Sequence, residues 1–161
     1  MGQTSGMTDT ISVSQPVDAS PEQVWEMLSD LPRMGEWSPE NTGGTWVKGA
    51  TGPAVGARFK GANSNGKKNW KTDAKVTTCV PGSAFAFDVS VGMVAVANWS
   101  YVIEPTPSGC VVTETWTDKR GWLAKALGGP VSGVADREIH NRSGMETTLA
   151  NLAAAAEAST S

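Results

Sequence analysis

The chain has 161 residues, 39% of them hydrophobic, with 13 basic against 16 acidic side chains and a formal net charge of -3. That length suits one domain able to bury roughly 70% of the surface its unfolded form exposes. Apart from Lys67, Lys68 and Lys71 the basic residues are scattered, so no concentrated field attracts a phosphate backbone, and nucleic acid is excluded as an expected partner.

Residues 1–9 are polar and lack the apolar run of a signal or a membrane span. They read as a flexible N-terminus, with Met7 an alternative natural start and no stable membrane insertion expected. Cys79 and Cys110 fall in separate strand-like segments, which fits a reduced, cytoplasmic setting better than a disulfide framework.

From Thr10 to Val17, Ile11, Val13 and Gln15 alternate with Ser12, Ser14 and Pro16, the period of a strand with one buried face. A helix follows directly. Ser20 suits its N-cap, Pro21 its first position, and Gln23 completes a capping box by reaching back to the Ser20 amide. Val24, Leu28 and Leu31 give it an apolar stripe, with Trp25 alongside. Pro32 to Asn41 is a turn-rich bridge around Trp37, with room for a short helical turn before the sheet resumes near Thr45.

Asn65-Gly66 predicts a type I′ hairpin. Pairing outward from Ser64 and Lys67 sets Gly61 against Trp70, Phe59 against Thr72, and Arg58 against Asp73 on the outer face. A strand over about Ala84 to Val91 follows, then a hairpin joining Ala95–Glu104 to Cys110–Thr117. Closed by Glu104 and Gly109, that hairpin puts Glu114 across from Trp99, on the face of Tyr101, Val112 and Trp116, and leaves Val111, Thr113, Thr115 and Thr117 outside; a slip of one residue would turn Glu114 and Trp116 to the opposite face. Residues 119–135 carry Trp122, Leu123, Ala126 and Leu127 and then a Gly-Gly-Pro hinge. A long helix is predicted over 136–157. Met145, Leu149, Leu152, Ala153 and Ala156 form its buried stripe, and Asn141 and Arg142 flank its start. Gly144 inside it costs about 1 kcal/mol against Ala, which points to a close approach by a backbone or a ligand. Residues 158–161 read as a disordered tail.

Phe59, Trp70, Phe85, Phe87, Trp99, Tyr101 and Trp116 thus share one face of an antiparallel sheet. One helix is narrow cover for so broad a surface, so sheet and helix are expected to enclose a cavity.

The run Val17-Asp18-Ala19-Ser20-Pro21-Glu22-Gln23-Val24-Trp25, then Leu28-Ser29-Asp30 and Trp37-Ser38-Pro39, resembles the opening of the polyketide cyclase/dehydratase and lipid-transport group of the START/Bet v 1-like (SRPBCC) superfamily. Phe59-Lys60-Gly61-Ala62-Asn63, Trp70, Trp99-Ser100-Tyr101, Glu104-Pro105, Gly109 and Thr113-Glu114 are similar to bacterial members, as are Asn141, Gly144-Met145 and Thr148-Leu149. The likeness spans Thr10 to Glu157. It implies an α+β helix-grip fold, a curved antiparallel sheet wrapped around a long C-terminal helix with short N-terminal helices, as a single ligand-binding domain over 10–157. The superfamily's roles differ widely, so the likeness implies no single activity.

A cavity of this kind would be lined by Trp37, Phe59, Trp70, Phe87, Trp99, Tyr101, Trp116 and Met145, with Asn63, Glu114 and Asn141 as its polar groups. Its mouth would lie between residues 119–135 and the Trp37 bridge. An inward, unpaired Glu114 would have a raised pKa and be the one candidate general acid or base; pairing with an indole N–H or Arg142 is the structural alternative. His140, the single histidine, falls opposite the apolar stripe and is expected at the surface. With two distant cysteines it makes no metal site, and no cofactor motif is present. Residues 61–67 match most of a phosphate-binding loop, but Lys68 stands where Ser or Thr is required and the segment joins two strands. No Gly-x-Ser-x-Gly elbow occurs.

The leading expectation is a monomeric or homodimeric carrier or sensor of a small hydrophobic or aromatic molecule or a lipid. A polyketide cyclase, aromatase or dehydratase is the second. The third is a protein-interaction module, such as a toxin-antitoxin or stress-response component, presenting Trp122, Leu123 and Leu127.

Overall fold

The computed structural model describes residues 10–39, 41–64, 68–119 and 137–160. Strand β1 (Thr10–Val17) leads into helix α1 (Pro21–Leu28) and a 3-10 helix (Leu31–Glu36). Six strands follow: β2 (Asn41–Val47), β3 (Arg58–Ser64), β4 (Asn69–Val80), β5 (Ala84–Val91), β6 (Val94–Thr106) and β7 (Gly109–Asp118). Helix α2 (Arg137–Thr160) closes the chain. The sheet runs β1-β7-β6-β5-β4-β3-β2, every pair antiparallel. Register shifts in β2–β3, β4–β5 and β5–β6 add the local bends that curve such a sheet. This is the helix-grip fold.

Strand alternation puts the large side chains on the concave face. Across the sheet they fall in rows. Phe85, Tyr101, Glu114 and Val13 make one row, and Phe87, Trp99, Trp116 and Ile11 the next. On the opposite face Ser12 and Ser14 hydrogen-bond Thr115 and Thr113 at 2.9 and 2.8 Å.

Both hairpins differ from their expected registers by two residues. Ser64 pairs with Asn69, leaving four residues in the loop, so Asn63 faces Trp70, Gly61 faces Thr72 and Phe59 faces Ala74. Trp70 therefore does not cover Gly61. The outer ion pair is Lys60–Asp73 at 2.7 Å, and Arg58 stands across from Lys75. In β6–β7, Thr106 pairs with Gly109, which sets Glu114 across from Tyr101 and Trp116 across from Trp99. A shift of two preserves which face each side chain takes, so the concave set is unchanged while its neighbours are.

Ser20 caps α1, its hydroxyl accepting from the Gln23 amide at 3.1 Å. The Gln23 side chain does not close the box. Its Nε2 donates to the Ala156 carbonyl at 3.0 Å and ties α1 to the last turns of α2. Trp25 packs edge-on against Phe85 and donates its indole N–H to the Ala84 carbonyl at 2.9 Å.

The main core lies under α1 and the second half of α2, where Leu149, Leu152, Ala153 and Ala156 meet Val24, Leu28, Phe85 and Val112. Phe59 belongs to it, edge-on to Trp46. Gly44 allows this: with φ at 153°, its backbone lies so close that any Cβ would strike the Phe59 ring. Cys79 and Cys110 are both free.

Candidate functional site

Where α2 leaves the core, the sheet is uncovered and a cavity of about 370 Å³ opens. The stripe that fills the core at the end of α2 continues toward its start as Thr148, Met145, Gly144 and Asn141, and these turns roof the cavity. Its floor is the row Phe87, Trp99 and Trp116, extended by Trp70 on β4 and bounded on the core side by Tyr101 and Glu114. Met34, Ser38 and Pro39 of the bridge form one wall, and Asn41, Asn63 and Thr72 another. Trp70 and Trp99 are only half-buried, unlike the aromatic rings of the core.

Nine of the eleven residues singled out from the sequence border this space: Asn63, Trp70, Phe87, Trp99, Tyr101, Glu114, Trp116, Asn141 and Met145. Trp37 and Phe59 do not. Trp37 is buried behind the bridge, where the Arg33 guanidinium sits 5.3 Å from its ring and its carbonyl accepts from Asn151 at 3.1 Å. Phe59 turns into the core under Gly44. Thr72 and Val89 were legible as same-face neighbours of Trp70 and Phe87. Met34 and Ser38 carry no sequence signal of a cavity wall. Cys79 is not part of the wall described. The His140 side chain, the 119–135 mouth beyond Lys119, and Trp122, Leu123 and Leu127 lie outside the described residues.

Glu114 is the chemical centre. It is 2% exposed, and its Oε2 accepts from the Tyr101 hydroxyl at 2.7 Å. The partner is thus neither an indole N–H nor Arg142, which is exposed. Oε1 is buried with no partner among the described residues. Burial pushes the carboxyl up to about 8, with the Tyr101 hydrogen bond opposing the shift. Burial likewise lifts the Tyr101 hydroxyl well above its ordinary value, reinforced by the neighbouring Glu114 charge. Near neutral pH, Glu114 is mainly a carboxylic acid.

Asn63 donates to the Thr72 hydroxyl at 3.2 Å, and the Thr148 hydroxyl donates to the Gly144 carbonyl at 2.8 Å. These wall groups are satisfied without a ligand; Oε1 is not. Among the described residues no group of three His, Cys, Asp or Glu could hold a metal ion, and no helix is long and apolar enough to cross a membrane.

A family model described as polyketide cyclase / dehydrase and lipid transport matches residues 8–157. Among solved structures, the Polyketide_cyc-like protein Cgl2372 from Corynebacterium glutamicum is 29% identical, with a TM-score of 0.63 over 91% of this chain and 90% of that one. The di-domain ARO/CYC StfQ from the steffimycin biosynthetic pathway is 14% identical, with a TM-score of 0.73 over 95% of this chain. This chain covers 52% of StfQ, about half its length. Ginseng major latex-like protein 151 from Panax ginseng is 12% identical, with a TM-score of 0.70 over 94% of this chain and 99% of that one. At 14% and 12% identity the likeness is one of fold. No curated protein sequence matches the chain.

Proposed function

The chain belongs to the polyketide cyclase / dehydrase and lipid transport family, and from that premise we propose that it binds a small hydrophobic metabolite or lipid between the sheet and α2, as a carrier or sensor. One observation carries this reading: half-buried Trp70 and Trp99 border about 370 Å³ of unfilled space instead of closing it. A volume of that size lies in the range of small-molecule sites, and apolar walls with a few converging polar groups are their usual composition. Two unpaired cysteines, one of them buried, are in keeping with a cytoplasmic setting.

Native mass spectrometry of freshly purified protein, before and after exposure to an extract of lipids and aromatic metabolites, tests it. The expected result is a discrete added mass that disappears on denaturation. No adduct from either source would count against a ligand chamber.

The Glu114–Tyr101 pair supports a second reading, an enzyme of cyclase or dehydratase type. A carboxylic acid with a pKa of about 8 is matched to proton transfer near neutral pH. With a carbonyl-bearing substrate of the bound class, Glu114→Gln would keep binding and abolish turnover under this reading, whereas a carrier shows no turnover to lose.

A further inference from the structure

The cavity wall is selective in charge. Its described lining contains no Lys, Arg or His, and its ionisable members are Tyr101 and Glu114 alone. A ligand carboxylate would enter a space of low dielectric with no counter-cation among the described residues, beside an acid that itself resists ionisation. Glu114 meanwhile is almost wholly buried, with one oxygen engaged by Tyr101 and the other without a partner among the described residues. A buried polar atom left in that state is costly unless something supplies the missing bond.

Resting on the reading of this space as a ligand chamber, we propose that Glu114 is its specificity-determining residue, acting as a neutral hydrogen-bond donor that selects an uncharged ring compound bearing an acceptor oxygen and rejects carboxylates. Tyr101 fixes the geometry. Its single hydroxyl proton is spent on Oε2, so Oε1 carries the acid proton and presents it to the ligand oxygen. Trp99, Trp116, Trp70 and Phe87 supply flat apolar surface for the rings. The raised pKa of the carboxyl agrees with this assignment.

Tyr101 is the one other titratable group of the described wall, and it faces Glu114 directly. The strand neighbours of Glu114 are Tyr101 on β6 and Val13 on β1. Around the cavity α2 presents Asn141, Met145 and Thr148, and the bridge presents Met34, Ser38 and Pro39. Tyr101 titrates well above that range, so among the described residues a pH response of ligand selection in the range of Glu114 is its own.

Four shape-matched probes test the proposal: 2-acetylanthracene, 2-ethylanthracene, anthracene-2-carboxylate and 2-(aminomethyl)anthracene, titrated against full-length protein by quenching of tryptophan fluorescence at pH 6.5 and pH 9. The ketone is expected to bind about tenfold more tightly than the ethyl compound at pH 6.5, and the carboxylate more weakly than either. The ketone advantage should shrink at pH 9, with circular dichroism confirming that the protein is folded there. Glu114→Leu should erase the advantage at both pH values.

Tightest binding of the amine would make Glu114 a counter-ion for a cation and overturn the proposal. So would a carboxylate that binds as well as the ketone, or a ketone advantage that survives in Glu114→Leu. If ring compounds bind without regard to the oxygen, the chamber stands and the selection fails. If none of the four binds, the chamber reading falls and the selection with it.

Discussion

Glu114→Gln is expected to flatten the pH dependence of folding stability between about pH 5 and pH 8, the largest pH effect expected of any described group. In the unfolded chain the carboxyl has its ordinary value of 4.5, whereas burial in the folded protein pushes it up to about 8. As pH rises through that interval, the unfolded state releases a proton that the native state retains. Stability then declines, by up to about 1.4 kcal/mol per pH unit. The contribution of the buried acid is fully present below the unfolded value and is lost as pH passes the folded one. Gln cannot ionise, so its curve lacks this slope. Its amide still accepts from Tyr101, but its second N–H enters a buried site without a partner, at about 1–3 kcal/mol. The two stability curves should therefore cross, wild type ahead near pH 5 and the variant ahead near pH 8. Urea unfolding at pH 5, 6, 7 and 8 measures both. Parallel curves would show that Glu114 is solvated and ionised in the native state, and the donor role would go with its buried acid.

The pairing behind that expectation shows what was legible in the sequence and what was not. Face assignment was legible, because alternation depends on strand parity and the two-residue shifts in both hairpins leave parity intact. Phe85, Phe87, Trp99 and Tyr101 could be read onto the concave face from spacing, whereas Glu114 and Trp116 joined them only through the choice of loop parity that leaves the Thr-rich face of β7 outside. Neighbours could not be read. Closing the β6–β7 loop on Glu104 puts Glu114 opposite Trp99; closing it on Thr106, as the chain does, puts Glu114 opposite Tyr101. One misplaced turn concealed the hydrogen bond that Tyr101 donates to the carboxyl.

Gln23 makes the same point at a helix end. The local pattern suggests a bond to Ser20, and a tertiary acceptor on α2 wins. The division of the concave face into core and cavity was also illegible. Leu149 and Met145 lie on one continuous stripe of α2, and only the packing of α1 against its far end decides which part meets side chains and which meets open space. Trp37 shows the cost of that ambiguity: its bridge lines the cavity through Met34 and Ser38, while Trp37 itself is buried and not part of the wall.

That division predicts opposite consequences for two aromatic truncations on adjacent rows. Phe85 is 0% exposed, with ring centroids 6.3 Å from Trp25 and 5.9 Å from Phe87. Phe85→Ala should cost about 3–5 kcal/mol, because surrounding rings held by the sheet and α1 cannot collapse into the gap. For a domain of ordinary stability that is a large fraction of the total. Trp99 stands one row away, half-buried against the cavity. Its removal enlarges a void that already exists, so Trp99→Ala should cost less than about 2 kcal/mol, the loss being the part of the indole already withdrawn from water. Binding should respond in the other order. A ring ligand loses its central stacking face in Trp99→Ala, and affinity for 2-acetylanthracene should fall by about tenfold or more in protein that remains folded. Urea midpoints of both variants, with fluorescence titration of Trp99→Ala, decide the matter. Equal destabilisation by the two substitutions would mean that Trp99 plugs a solid core, and a folded Trp99→Ala with undiminished affinity would place the ligand elsewhere. The combination of a small loss in stability and a large loss in affinity is what separates a wall from a core, because a core side chain gains its contacts on folding and a wall side chain gains its remaining contacts only when the ligand arrives.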